Sequence, residues 1–337
     1  QKREENAITQ AYTAVKARII DVDDAELLRK VSPKTTMVLG LATILGIGLP
    51  IAIFFLLEML RYRIEGREDV EKLTKIPILA DIPTSKDIKK GERAVVVHAN
   101  SNNTMEEAFR GLRTNLRFVM HADEKVLLVT SVIPGEGKTF VATNLAVSMA
   151  LLGKHVLLIG LDVRKPRLVN LFGLNDKQKG LTQYLMTDGE DYKLLEEQIF
   201  PGIANPNLDV LPAGVIPPNP GELMGQPQLR MAIDYMRQKY DFIVIDTPPV
   251  GLVSDTFDIA AYADASLVIC RSEVSPKSNF ELINQCKDEN KMPKVNLVLN
   301  GIDLSRKKYG YYYGGKYKYY GHYGRYGTYG NYGDQKK

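Results

Sequence analysis

The stretch from Val126 to Leu152 reads "VLLVTSVIPGEGKTFVATNLAVSMALL", and three kinds of pattern follow one another in it. "VLLVT" is an apolar run of strand length, "SVIPGEGKT" is a turn of small residues, and "FVATNLAVSMALL" has the length and composition of a buried helix. A strand, a glycine-rich turn and Lys-Thr at a helix start together make a phosphate cradle. Gly135, Glu136 and Gly137 let backbone N–H groups close around phosphate oxygens, Lys138 neutralises their charge, the Thr139 hydroxyl can ligate magnesium, and Phe140 next to it completes the cofactor-binding candidates of the loop. The motif G-x-x-x-x-G-K-[ST] is not fully met, because Val132 occupies its first glycine position. Taken alone, the stretch also fits an ordinary glycine-containing turn between a strand and a helix.

Further apolar runs of strand length occur on either side. They are "VLLIG" (156–160), "LDVLP" (208–212), "FIVID" (242–246), "SLVIC" (266–270) and "VNLVLN" (295–300), separated by helical stretches. Near-continuous apolar strands alternating with helices predict an α/β fold, a doubly wound and mostly parallel sheet of the P-loop NTPase type. In such sheets ligands lie beyond the carboxyl ends of the strands. Two acids stand at those ends: Asp162 in "LLIGLDVRKPRL" and Asp246 in "DFIVIDTPPVG". Asp246 has the position of the aspartate with which P-loop enzymes hold magnesium. Each acid alone could be a helix cap or a turn former; with Lys138 they are expected to converge on one magnesium nucleotide.

From Met37 to Leu57 the chain runs twenty-one residues without a charge, enough for a helix that crosses a bilayer, and its glycines and Pro50 suit lipid better than a water-soluble core. The expected organisation is an extracytoplasmic end of an upstream domain (1–34), a transmembrane helix (35–58), a linker broken by Pro77 and Pro83 (59–93), the P-loop domain (94–305) and a disordered tail (306–337). Positive charge flanking the apolar run points weakly to a cytoplasmic C-terminal side. The absence of an initiator Met leads us to expect a further domain and an earlier membrane helix upstream. A net charge of +4 over 337 residues, without nucleic-acid signatures, argues against nucleic acid as a partner, and the two cysteines exclude a disulfide framework.

The tail holds eleven of the eighteen tyrosines, at Tyr309, Tyr311, Tyr312, Tyr313, Tyr317, Tyr319, Tyr320, Tyr323, Tyr326, Tyr329 and Tyr332, among glycines and lysines. Such a segment has too little apolar surface to form a core. It is either a self-associating low-complexity tail or a set of phosphate acceptors whose modification would reverse a positive charge.

"PGEGKT", "LDVRKP", "IVIDTPP", "LDVLPAGVIPPNPGELM" and the Tyr-Gly tail, in this order, resemble the bacterial tyrosine kinases (BY-kinases) of the polysaccharide co-polymerases. The resemblance runs from about Pro33 to the C-terminus and makes the apolar run the second of two membrane helices. It implies an ATP-dependent protein-tyrosine autokinase with ATP and magnesium as cofactors, Lys138, Asp162 and Asp246 as catalytic residues, and Asp162, Asp246 and Thr139 at the metal. It also implies adenine near Asn300. Glu107, Arg110 and Arg113 in "EEAFRGLRTNLRF" match the family's E-x-x-R-x-x-R segment, which implies contacts in a ring homo-oligomer, an octamer by that resemblance; read alone they are a solvated charged face.

In such a ring the tail of one subunit would be phosphorylated by the next. The resemblance further implies a bacterial inner-membrane location with the kinase domain and tail in the cytoplasm. The implied partners are a polysaccharide polymerase and export proteins and a cognate tyrosine phosphatase, and the implied role is control of capsule or exopolysaccharide production. One departure stands out: the family carries D-x-D after the second strand, whereas this chain has "GLD", with Gly160 in the first acidic position. Two rivals remain at this level. A regulatory ATPase of the MinD/ParA type would carry a second lysine early in the P-loop, which "SVIPGEGKT" lacks. An ATP-binding scaffold of the export machine without kinase activity is kept open by Gly160.

Overall fold

The computed structural model describes residues 2–14, 34–59, 62–84, 95–98, 103–175, 178–187 and 191–304. The tyrosine tail lies outside the described residues. The chain divides into two units at Arg61. The first holds α1 (Lys2–Ala14) and α2 (Thr35–Met59). Within α2 the segment Thr35–Leu56 is long and apolar enough to cross a membrane. The 22 residues of that segment rise about 33 Å, more than the roughly 30 Å of a hydrocarbon core.

The second unit contains, in order, α3 (Arg67–Leu73), β1 (Ile78–Pro83), α4 (Thr104–Val119), β2 (Val126–Ser131), α5 (Lys138–Ala150), β3 (Val156–Gly160), α6 (Leu168–Phe172), α7 (Leu181–Leu185), α8 (Tyr192–Glu197), β4 (Leu208–Leu211), α9 (Pro220–Met224), α10 (Pro227–Lys239), β5 (Phe242–Asp246), α11 (Asp255–Ala260), β6 (Ala265–Arg271), α12 (Asn279–Asp288) and β7 (Val295–Ile302). Among the described residues seven strands form one sheet in the order β1-β7-β6-β2-β5-β3-β4, and every neighbouring pair is parallel. Side chains alternate between its faces, as the strand period of two requires. Leu128, Ile243 and Ile245 pack into one apolar core with Leu229 and Ile233 of α10. Leu127, Val129 and Val244 pack into the other with Phe109 of α4 and Leu145 of α5. Both faces are therefore covered, which is why the strand sequences are apolar at nearly every position.

The order of strands matters more than their number. β5 is inserted between β2 and β3, so Asp246 is in register with Val129 on one side and Gly160 on the other. The carboxyl ends of β2, β5 and β3 therefore lie side by side, and the three sequence features expected at a phosphate site follow those ends.

The segment 59–93, expected as a linker, is different in the structure: it supplies α3 and β1, and β1 is the edge strand paired to β7. Arg67 Nε donates to Asp81 Oδ2 at 3.0 Å and Asn115 Nδ2 to Leu79 O at 2.6 Å, which fastens β1 to α3 and α4. Prolines obscured this strand in the sequence. Pro83 is nevertheless tolerated, because an edge strand has a free side that needs no N–H donor.

The starts of β2 and β6 and the last turn of α10 are joined by one carboxylate. Asp264 accepts the N–H groups of Lys125 and Val126 at 2.8 and 2.7 Å and both terminal nitrogens of Arg237 at 2.8 and 2.9 Å. Burial pushes its pKa up, but Arg237 and the two backbone donors outweigh burial and hold it below the usual aspartate range. Stability from such a depressed group is present above the unfolded-state pKa of about 4 and is lost as pH falls through the folded value. Asp264→Asn is therefore expected to cost about 2 kcal/mol at pH 7. In urea titrations at several pH values, the gap between variant and wild type should close below about pH 4.

Candidate functional site

The loop after β2 turns twice through left-handed backbone, at Gly135 (φ +89°) and Gly137 (φ +97°). Glycine enters that region without the steric cost that a Cβ brings. At Gly137 a second constraint applies, because a Cβ there would lie 2.1 Å from Asn300 Nδ2. The loop delivers the chain into α5 at Lys138, where the first N–H groups of the helix have no partner within it and the helix dipole favours an anion.

Lys138, Thr139, Asp162 and Asp246 converge. Lys138 Nζ is 2.8 Å from Asp162 Oδ2 and 3.5 Å from Asp246 Oδ1. The Thr139 hydroxyl donates to Asp246 Oδ2 at 2.7 Å, and the N–H of Lys165 donates to Asp162 Oδ1 at 3.1 Å. Asp246 is only 2% exposed, and burial raises its pKa against the opposing pull of Lys138 and Thr139. The cavity above has a volume of about 370 Å³ and is lined by Gly135, Gly137, Lys138, Thr139, Phe140 and Asp162. Arg164, Lys165, Arg167 and Arg271 line it too, so five basic side chains face a single lining carboxylate. This is an environment for a polyanion. A hydroxyl and two carboxylates around one ammonium are also the hard oxygen donors that magnesium prefers, so Thr139, Asp162 and Asp246 fit that ion.

Three expected residues make side-chain contacts that the sequence did not suggest. Glu136 lies in the loop, yet its carboxylate is buried beneath it, accepting the Ile133 N–H at 2.9 Å and the Ser275 hydroxyl, and burial raises its pKa. Asn300 at the end of β7 donates to Glu136 O at 2.8 Å. Arg113 is turned inward, donating to Ser148 O at 2.6 Å in the last turns of α5. Glu107 and Arg110 remain on the outer face of α4, 2.5 Å apart. Phe140 stacks edge-on against Phe109, which ties α4 to the first turn of α5.

A Cβ at Gly160 would lie 2.9 Å from Leu168 Cδ1, so an acid at that position would require the end of the Leu168 side chain to shift. The sequence reading missed Arg164, whose guanidinium is 2.8 Å from Asp255, and Arg271, which donates to Gly135 O at 3.0 Å. Arg271 ends β6 and Arg164 lies four residues past the end of β3, the same positional signal that singled out the two aspartates.

Gly137→Ala is expected to abolish nucleotide binding, because the methyl group both evicts Asn300 and disfavours the left-handed turn. Isothermal titration with ATP analogues would measure this, and circular dichroism should show the sheet retained.

The AAA domain family model matches residues 124–297, just over half of the chain. The tyrosine-protein kinase wzc of Salmonella typhimurium is 32% identical over 334 residues, covering 94% of this chain and 45% of the relative. The tyrosine-protein kinase ptk of Acinetobacter johnsonii is 32% identical over 316 residues, covering 90% and 42%. Among solved structures, the kinase domain of the Escherichia coli tyrosine kinase ETK superposes with a TM-score of 0.64 at 28% identity, over 72% of this chain and 97% of that one. The chimerical protein CapA2B2 gives 0.62 at 29% identity, over 71% and 100%. This chain spans less than half the length of the curated relatives it matches. The chain belongs to the AAA-domain family, and after a helix of membrane-spanning length it is similar to the kinase domains of bacterial tyrosine kinases.

Proposed function

We propose that this chain is an ATP-dependent protein-tyrosine kinase that phosphorylates its own C-terminal tyrosines and thereby regulates polymerisation and export of capsular or exopolysaccharide. The observation that carries the reading is the convergence of Lys138, Thr139, Asp162 and Asp246 beneath a cationic cavity, in a chain similar to tyrosine kinases along most of its length. Lys138 and the lining arginines would neutralise the triphosphate. Thr139, Asp162 and Asp246 would hold magnesium, whose bound role is to offset charge on the phosphates. A tyrosine phenol oxygen forms the new bond to the γ-phosphorus as the bond to the β,γ-bridging oxygen breaks, and ADP leaves. Asp162, more exposed than Asp246, would take the phenolic proton. Catalysis of this kind is mostly positioning and charge neutralisation.

Glu107 and Arg110 on the outer face of α4 support a role in subunit contact within a ring, where one tail reaches the neighbouring site at high effective concentration. Arg113 would act there indirectly, by fixing α4 on α5. Each phosphate adds about −1.5 to −2 charge, so several would overturn the basic tail and drive subunits apart. We place the protein in the bacterial inner membrane, α2 being the second of two membrane helices and the kinase domain and tail being cytoplasmic. Its expected partners are a polysaccharide polymerase, export proteins and a tyrosine phosphatase.

Gly160 favours one alternative, an ATP-binding scaffold without phosphoryl transfer, because the site has one carboxylate fewer than D-x-D would supply. Mass spectrometry of phosphatase-stripped protein after incubation with ATP and magnesium separates the two readings. Phosphate on several tyrosines between Tyr309 and Tyr332 is expected in the wild type and not in Lys138→Met. An unmodified tail in both, with ATP bound by the wild type, would leave the scaffold.

A further inference from the structure

The P-loop is held on the side away from its cavity. Glu136 is 1% exposed and Asn300 7% exposed, and neither lines the cavity that Gly135, Gly137, Lys138 and Thr139 surround. Asn300 Nδ2 donates to Glu136 O at 2.8 Å. The Glu136 carboxylate closes the turn by accepting the Ile133 N–H, and it also accepts the Ser275 hydroxyl, whose oxygen in turn accepts the Arg271 N–H at 2.7 Å. Ser275 is itself fixed by backbone pairing with the residues that open the second unit. Its carbonyl accepts the Ile64 N–H at 3.0 Å, while the N–H groups of Glu273 and Lys277 donate to Ile64 O and Tyr62 O at 2.8 and 2.7 Å.

A planar trans peptide points its C=O and its N–H in opposite directions. The Asn300 amide draws the Glu136 carbonyl to the far side of the loop, so the Gly137 N–H in the same peptide unit faces the cavity. The left-handed φ of Gly137 and the lack of room for a Cβ there belong to the same close approach. We propose that Asn300, Glu136 and Ser275 are positioning residues, a brace beneath the P-loop that aims its N–H groups at the phosphates. Asn300 then serves the loop and not the nucleotide base. This rests on the reading of the cavity as a nucleotide site.

Direct binding of ATP and of GTP to the full chain in detergent, by competition with a fluorescent triphosphate, tests the brace. Asn300→Ala and Asn300→Asp, the latter similar in size but without the donor, should each weaken both nucleotides about tenfold and leave the ATP-to-GTP ratio unchanged. Ser275→Ala and Glu136→Ala should weaken both nucleotides about threefold or more, again without altering the ratio, and they carry the test if the Asn300 variants do not fold. An altered ratio in Asn300→Ala would assign Asn300 to the base and overturn the proposal. Wild-type affinities in the folded variants would overturn it as well. A wild-type chain that binds neither nucleotide would instead overturn the nucleotide-site reading.

Discussion

Asp246 is a carboxylate buried at the end of a central strand, and an isolated charge in that position would cost several kcal/mol. The surrounding structure compensates it with the Thr139 hydroxyl and, at longer range, the Lys138 ammonium. Both come from the first turn of α5, so that helix must begin directly above the end of β5. This in turn requires β2 to lie beside β5 and the P-loop to make its turn within a few residues. Asp162 then completes the cluster from β3 on the other side. One ammonium between two acids is thus a consequence of strand order, and it ties three strand ends into one rigid constellation.

Rigidity in the P-loop has a separate origin. Its carbonyls and its one acidic side chain are bonded to Arg271, Ser275 and Asn300, which stand at or just beyond the ends of β6 and β7. The loop that carries Ser275 is paired in turn with residues 62–64, three to five positions after the last described residue of α2. The segment that first looks like a tether between membrane helix and domain is therefore part of the framework of the phosphate site. α3 and β1 extend that framework to the edge of the sheet.

Gly160 illustrates how local packing changes the meaning of a motif. In sequence it is a missing acid. In the structure the end of the Leu168 side chain of α6 packs beside it and would have to shift to admit a Cβ. Asp162 is left as the lining acid nearest Lys138, surrounded by Arg164, Lys165 and Arg167 from its own segment. The remaining carboxylate thus works in a strongly cationic setting.

Much of this was legible in the chain itself. Apolar runs bounded by glycine, proline and acidic residues mark six of the seven strands, because a strand buried on both faces has no polar positions to hide it. Lys138, Thr139, Asp162 and Asp246 were visible because each follows such a run. β1 was not, since an edge strand flanked by prolines lacks that apolar continuity. Nor could spacing reveal that Arg113 turns inward, that the Glu136 carboxylate points beneath its own loop, or that Asn300 meets a P-loop carbonyl. Local sequence determined the elements and the chemistry at their ends, since periodicity and turn residues act over a few positions. Only the tertiary structure decided which ends are neighbours and which polar groups pair, because hydrogen bonds between residues more than a hundred positions apart depend on strand order.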